Sequence, residues 1–238
     1  CPMMRYGEFG CQTPANMEVW LRDIPAASRW PLNPEDPVLI RKNVFYAVFS
    51  PEYWLLPRVT EEVFGPLSDL EMTIYGGQYL AAEGMRYAMD AQRAMGRRLG
   101  GFTSWDYNEP WPNGAGSFLV DYDGCPVMMY YYAKQALEPI ALSLKYDSLY
   151  YKFFRDSFAE LRLVSDAPER VTGLRCEWVC RDRMGRVYLS GSCQADIDPL
   201  EVKTLGRIRI NPPENMAYGP VLVELCLRNA DGGILAER

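Results

Sequence analysis

The stretch that decides the fold is residues 100–113, GGFTSWDYNEPWPN. Its two glycines end a predicted helix, because glycine is the common residue just past a helix C-terminus. Residues 102–105 then favour a short strand, and residues 106–113 form a polar, proline-rich loop. Helix, strand and loop in this order are typical of a parallel α/β sheet or barrel. In such folds the functional groups lie on the loops that follow the strands.

Helical segments flank this stretch on both sides. The clearest covers residues 78–97, where Ala81, Met85 and Met89 share one face at the 3.6-residue period and charged residues lie on the opposite face. Three further segments are predicted to be helical: 16–22, 37–47 and 127–137.

The pattern changes to short alternating segments between Pro139 and Lys145. Strands are predicted at 141–145, 158–164, 173–181, 187–193, 202–210 and 221–228, with a stub at 234–237. Short strands at this spacing favour an antiparallel sandwich of immunoglobulin type. The sequence therefore predicts an α/β domain at residues 1–140 and an all-β domain at residues 141–238.

Composition removes several classes of function. The chain has no histidine, which excludes histidine-based catalytic triads and histidine-ligated metals. Its net charge of -6 comes from mixed charges without a basic stripe, so nucleic acid is not an expected partner. No apolar run reaches the ~18 residues of a membrane span, so a membrane is not expected either. Neither a metal nor a cofactor is expected.

The seven cysteines are scattered along the chain. No pair of CxxC motifs is present, so a zinc site is not expected. Cys176 and Cys180 would point to the same side of a strand, because side chains alternate with a period of two. We expect the cysteines to be buried free thiols.

Two glutamates lie where a parallel fold places its catalytic groups. Glu8 lies in RYGEFGCQ, residues 5–12, and Glu109 lies in the loop after residue 105. Carboxylates beside tryptophan and asparagine suit the cleavage of a glycosidic bond, whose transition state resembles an oxocarbenium ion. Each motif alone fits an ordinary turn equally well. The combination favours a sugar-cleaving site.

Four segments in order resemble the family 2 glycoside hydrolases, and most closely their β-mannosidase branch: EFG at 8–10, the helix at 78–93, WDYNEPWPN at 105–113, and DYDGCPVMMYYYAKQALEPI at 121–140. The resemblance implies that Glu8 ends strand seven of a (β/α)8 barrel and is the catalytic nucleophile. Residues 105–113 would end strand eight. The chain would then hold the last two βα units of the barrel, followed by the immunoglobulin-like sandwich.

The resemblance also implies a set of carbohydrate contacts. Trp105 would form the floor of the innermost sugar subsite, and the loop after it would line the substrate. The residues implied to bind substrate are Trp105, Asn108, Glu109, Trp111, Gln12 and Asp106.

One departure from the family concerns the acid/base glutamate. In the family it follows strand four, in an Asn-Glu pair upstream of the nucleophile, whereas Asn108 and Glu109 come after Glu8. A whole barrel needs about 250 residues. We therefore expect the C-terminal part of a larger retaining, exo-acting β-glycosidase that is inactive alone. Its partners would be a carbohydrate substrate, the rest of the parent polypeptide and, through the incomplete barrel, further copies of itself.

Two other interpretations stay open. The chain could be a non-catalytic carbohydrate-binding or architectural module, with Glu8 incidental. It could also be an unrelated structural domain with a chance motif. A long upstream coding sequence containing an Asn-Glu pair would favour the enzyme.

Overall fold

The computed structural model describes residues 7–43, 55–148, 155–213, 216 and 219–238. Within these ranges the chain divides into two compact units. The helical unit contains residues 7–88 and 101–134. The strand unit contains residues 89–100 and 135–238.

The helices of the described residues are α1 Met17–Asp23, α2 Ala26–Arg29, α3 Pro37–Arg41, α4 Pro57–Phe64, α5 Leu70–Arg93 and α6 Met128–Ala136. None of them is long and apolar enough to cross a membrane. The predictions of α1 and α6 were correct to within about one residue. Of the predicted helix at 37–47, α3 covers the first part, and residues 44–47 lie outside the described ranges.

The long helix α5 begins earlier than predicted and ends at Arg93, before a 3-10 turn at Gly96–Arg98. Asp69 caps its start, since the Met72 N–H donates to the Asp69 carboxylate over 2.7 Å. Gly77 lies inside the helix, and glycine is needed there because a Cβ would be 2.8 Å from the ring of Pro14. The apolar periodicity used for the prediction began only after residue 78, and glycine itself lowers helix propensity.

Four short strands complete the helical unit as described. β1, Glu8–Phe9, pairs in parallel with β3, Thr103–Ser104. β2, Thr13–Pro14, pairs antiparallel with β4, Ala115–Gly116. The described residues contain no closed barrel, and the partial barrel stays a prediction.

The strand unit contains two antiparallel sheets. Its strands are β5 Ile140–Lys145, β6 Phe158–Ser165, β7 Val171–Arg181, β8 Val187–Ile197, β9 Val202–Arg209, β10 Leu222–Arg228 and β11 Ile234–Glu237. One sheet has the order β5-β6-β9 and the other β11-β10-β7-β8. The expected run of antiparallel strands is confirmed, whereas the immunoglobulin type stays a prediction.

Both sheets contribute to one hydrophobic core. Its buried members include Leu163 of β6, Leu174 and Cys176 of β7, and Leu227 of β10. Their alternation with more exposed residues is the period-two pattern of a strand that packs on one face. β8 extends past the predicted end at residue 193, because Ile197 continues the buried side.

Residues 89–100 belong to the strand unit, although the sequence pattern placed them with the first domain. The guanidinium of Arg93 donates to Asp166 over 2.8 Å and to the carbonyl of Ala136. Asp90 forms an ion pair with Arg238 at 2.7 Å. Buried charges need such partners, so these contacts bind the end of α5 to the strands.

Candidate active site

The candidate site begins where β1 and β3 end side by side. Glu8 is the register partner of Thr103, and Phe9 is the partner of Ser104. The Trp105 N–H donates to the Phe9 carbonyl over 2.8 Å and extends the pairing by one residue. The expected pair of adjacent parallel strands is thus confirmed. Glu8 and Trp105 therefore come from neighbouring parallel strands, with Trp105 two residues beyond the register partner of Glu8.

Gly10 lets the chain after β1 pass close to Trp105. A Cβ at Gly10 would lie 2.1 Å from the Trp105 carbonyl oxygen and 2.2 Å from the Ser117 hydroxyl. The Ser117 hydroxyl donates to the same carbonyl, and the Asp106 N–H donates to the Ser117 carbonyl over 2.6 Å. The peptide bond between Trp105 and Asp106 is cis. Because of the short distances at Gly10, a side chain at that position would clash with the Trp105 carbonyl and with Ser117.

Glu8 and Trp105 both influence the pKa of Asp106 at the candidate site. Burial, and then the negative charge of Glu8, raises the pKa of Asp106. The indole N–H of Trp105 donates to the Asp106 carboxylate and lowers that pKa in part. Glu8 and Asp106 are both exposed. The Asp106 carboxyl group therefore interacts with the charge of Glu8 from the neighbouring strand and with the indole of Trp105.

Glu109 is buried within the loop, with a residue exposure of 8%. Its carboxylate accepts hydrogen bonds from the Trp111 N–H, over 3.2 Å, and from the Asn113 amide. Burial raises the pKa of Glu109, and these two hydrogen bonds partly oppose that rise. In this position Glu109 holds the turn of the loop, and its contact with substrate stays a prediction.

Several other residues of the loop are exposed. Trp111 is 61% exposed, and Asn108 is exposed with its backbone bridged to Val120. Tyr107 is 63% exposed and was not selected from the sequence. Its place between Trp105 and Trp111 was the signal that could have identified it, because sugar sites use aromatic faces.

Gln12 lies half-buried just before β2, on the segment that leaves β1. Its predicted contact with a sugar hydroxyl stays a prediction. The chain after this segment takes part in a polar network that the sequence did not indicate. Asn16 donates to Asp121 over 2.7 Å, and Gln78 donates to Asn16 over 3.2 Å. This network includes Asp121, which accepts a hydrogen bond from the Cys125 N–H, and so helps to fix the turn that leads into α6.

No group of three or more potential metal ligands occurs in the part of the chain that the structure describes. What the site offers is a carboxylate that can attack or stabilise a cationic carbon, a second carboxyl group whose pKa is raised, and exposed aromatic faces. A carboxylate nucleophile is one of the two carboxyl groups that glycosidic bond cleavage uses, and the other is a general acid that protonates the leaving oxygen.

Solved structures similar to this chain are carbohydrate-cleaving enzymes. The β-D-mannosidase of Dictyoglomus thermophilum matches with 17% identity and a TM-score of 0.72, over 98% of this chain and 26% of that chain. The exo-chitosanase of Amycolatopsis orientalis, in complex with PNP-β-D-glucosamine, matches with 16% identity and a TM-score of 0.72, over 96% of this chain and 26% of that chain. No protein-family model matches the chain, and no curated protein sequence matches it significantly.

The chain spans about a quarter of the length of these structures. At this identity the likeness shows the fold, and it confirms at that level the resemblance that the motifs indicated. The described part of the chain shares a mixed helix-and-sheet fold with glycoside hydrolases of the β-mannosidase and exo-glucosaminidase type.

Proposed function

We propose that this chain is the C-terminal part of a retaining, exo-acting β-glycosidase of family 2, closest to the β-mannosidases. Residues 1–140 would close its catalytic barrel, and residues 141–238 would form its immunoglobulin-like domain. The fold shared with a β-D-mannosidase and an exo-chitosanase supports the class of enzyme. The substrate would be a β-linked sugar at the non-reducing end of a carbohydrate.

The observation that carries this proposal is that Glu8 lies on β1, which pairs in parallel with β3, and that its charge acts on Asp106, which follows β3 and accepts a hydrogen bond from Trp105. Glu8 is exposed at the edge and can approach the anomeric carbon of a bound sugar. Trp105 offers an indole face beside it. Asp106, whose carboxyl group interacts with Glu8, would accept a hydrogen bond from a sugar hydroxyl.

In the proposed reaction the Glu8 carboxylate attacks the anomeric carbon and forms a covalent glycosyl-enzyme, which water then hydrolyses with retention of configuration. A second carboxyl group must protonate the leaving oxygen. We assign that group to the upstream part of the parent polypeptide. General acid catalysis contributes about 10² to 10⁴-fold, so the isolated chain should be inactive.

The test compares two glutamates in the parent polypeptide that contains this chain. Aryl β-D-mannosides and aryl β-D-glucosaminides are offered, and release of the aryl group is measured. Glu8→Gln should lower turnover by at least about 10³-fold. Glu18→Gln, an exposed glutamate in the first turn of α1, is the control. Equal activity of the Glu8→Gln variant and the wild type would contradict the proposal.

A carbohydrate-binding module without catalysis is the second candidate. The exposure of Tyr107 and Trp111 on one loop favours it, because aromatic faces stack on sugar rings. Affinity electrophoresis of the isolated chain on immobilised mannan tests it. Retardation that Trp111→Ala abolishes, and that Tyr122→Ala of the neighbouring turn leaves intact, would support this candidate. It would gain further if the parent polypeptide had no glycosidase activity.

A further inference from the structure

Two cysteines face each other across neighbouring strands of the strand unit. Cys176 of β7 is the register partner of Cys193 of β8. Cys176 is fully buried, Cys193 is half-buried, and both pack in the core shared by the two sheets. Both are free thiols, within hydrogen-bonding reach of each other. We propose that Cys176 and Cys193 are a redox pair that a peroxide converts into a cross-strand disulfide.

The strand geometry suits this bond. Directly opposed residues of antiparallel strands have Cα atoms about 4.5 or 5.5 Å apart. Disulfides join Cα atoms that are about 4.4 to 6.8 Å apart. The Cβ atoms of such a pair lie about 4.5 to 5.5 Å apart, which is up to about 1 Å beyond the upper limit of about 4.5 Å found in disulfides. The bond therefore needs only a small approach of the two strands.

The same geometry excludes a disulfide between this pair and the other cysteines described in the strand unit. Cys180 follows Cys176 by four residues on one strand, which separates their Cα atoms by about 13 Å. The register partner of Cys180 in β8 is Leu189. Cys226 of β10 is the partner of Glu177, so its side chain points to the face opposite Cys176. The register thus selects a single pair.

The burial of the two thiols sets the order of the chemical steps. Burial, and then the neighbouring Cys193, raises the pKa of Cys176 to about 12, so Cys176 keeps its proton at neutral pH. Cys193 is the more accessible sulfur. Its thiolate attacks one oxygen of hydrogen peroxide, the O–O bond breaks, and the departing oxygen leaves as water. Cys193 is then a sulfenic acid.

The second step closes the disulfide. The sulfur of Cys176 attacks the sulfenic sulfur, the S–O bond breaks, and the oxygen leaves as water with the Cys176 proton. In total, two thiols and one hydrogen peroxide give one disulfide and two waters. The sulfur pair loses two electrons and the peroxide gains them. A dithiol such as dithiothreitol reverses the change by thiol–disulfide exchange.

The bond would tie β8, at the edge of its sheet, to β7 inside it. It would close a loop over residues 176–193, which includes the turn between the Asp182 carbonyl and the Gly185 N–H. Such a closure restricts the unfolded chain more than the folded one. The resistance of the strand unit to unfolding would then depend on its redox state, independently of any glycosidase activity.

The test treats the folded chain with hydrogen peroxide and counts its free thiols. The count should fall from seven to five, and peptide mapping should show one linkage, between the peptides of Cys176 and Cys193. The midpoint of thermal unfolding should rise by about 5 °C or more and return after dithiothreitol. The same treatment in urea should give mixed linkages, because the register is then lost.

Cys193→Ser and Cys180→Ser are the matched variants, and both remove one thiol from the same hairpin. Cys193→Ser should abolish the linkage and the rise in midpoint, whereas Cys180→Ser should keep both. The proposal is wrong if the folded chain keeps seven thiols. It is equally wrong if Cys193 accumulates as a sulfinic acid while Cys176 stays free, or if the linkage joins other cysteines.

Discussion

The two units hold their strands together in different ways. Strands of the strand unit run for four to eleven residues and pair along their length over one shared core. β1 and β3 of the helical unit have two residues each, and single contacts such as the Trp105 N–H to the Phe9 carbonyl align them. The first arrangement spreads its stability over many contacts. The second depends on a few close approaches, and these lie at the candidate site.

The largest expected effect is an exception to this contrast, because it comes from a single ion pair in the strand unit. Asp90 and Arg238 form an ion pair whose side chains are 11% and 4% exposed. Asp90→Ala leaves the guanidinium buried without its carboxylate and should lower the free energy of unfolding by about 4 kcal/mol. Urea unfolding followed by circular dichroism measures the change.

The control for Asp90→Ala is an ion pair at the surface of the same unit. Asp156 and Arg209 lie 2.9 Å apart with side chains more than half exposed. Solvent screens such a pair, so Asp156→Ala should change stability little. Equal effects of the two substitutions on the free energy of unfolding would show that the buried ion pair stabilises the chain no more than the exposed one.

The next effect sharpens the contrast by adding one Cβ in each unit. Gly10→Ala places the Cβ against the backbone carbonyl of Trp105 and should cost about 2 to 3 kcal/mol. Gly191→Ala of β8 places it 2.2 Å from the indole of Trp178, which is a side chain and not backbone, so its cost should be smaller. Denaturant unfolding of both variants measures the difference.

Gly7→Ala is the control for these two substitutions, because nothing lies within 4 Å of a Cβ at that position. It should leave stability nearly unchanged. If Gly191→Ala proved more costly than Gly10→Ala, the close approach at the site would be less rigid than the account requires.

The smallest effect concerns the buried carboxyl group of the loop. Burial raises the pKa of Glu109 above its ordinary value of 4.5. The folded chain therefore binds that proton more tightly than the unfolded chain does. As the pH falls through the raised pKa, the wild type should gain stability relative to Glu109→Gln. Unfolding of both proteins at neutral and acidic pH measures this gain.

Glu62→Gln, which removes an exposed glutamate of α4, is the matched control for the pH series. Its difference from the wild type should not follow the same course. If the difference between Glu109→Gln and the wild type stayed constant with pH, the burial of this carboxyl group would have no energetic consequence.

The sequence predicted the strand unit well because the alternation that marks each strand lies within the strand itself. In β7, Leu174, Cys176 and Cys180 alternate with more exposed residues, and this pattern alone marks the strand and its buried face. The end of β8 was missed because the pairing of Ala195 with Leu174 extends the strand, and a single segment does not show its partner.

The helical unit was predicted less completely because long-range contacts decide its details. The pattern placed the start of the long helix at residue 78, whereas Gly77 lies inside α5, close to Pro14. The association of residues 89–100 with the strands rests on Arg93 and its partner Asp166, which are far apart in sequence. Such pairs leave no periodic signal along the chain.

At the candidate site, the motifs predicted the pairing of the two strands but not the hydrogen bonds within the loop. Glu8 and Trp105 were predicted to come from adjacent parallel strands, and β1 and β3 confirm that pairing. The hydrogen bond from Trp105 to Asp106 and the burial of Glu109 depend on how the loop folds back. Residue types alone do not encode that path.

The most direct test of the central claim is to identify which carboxylate becomes bonded to the sugar. The parent polypeptide is incubated with a 2-deoxy-2-fluoro-β-mannosyl fluoride, which slows release of the covalent intermediate, and its peptides are mapped by mass spectrometry. The account predicts that the sugar is attached to Glu8. A sugar attached to Asp106, Glu109 or a residue outside this chain, or turnover that proceeds without any labelled intermediate, would contradict it.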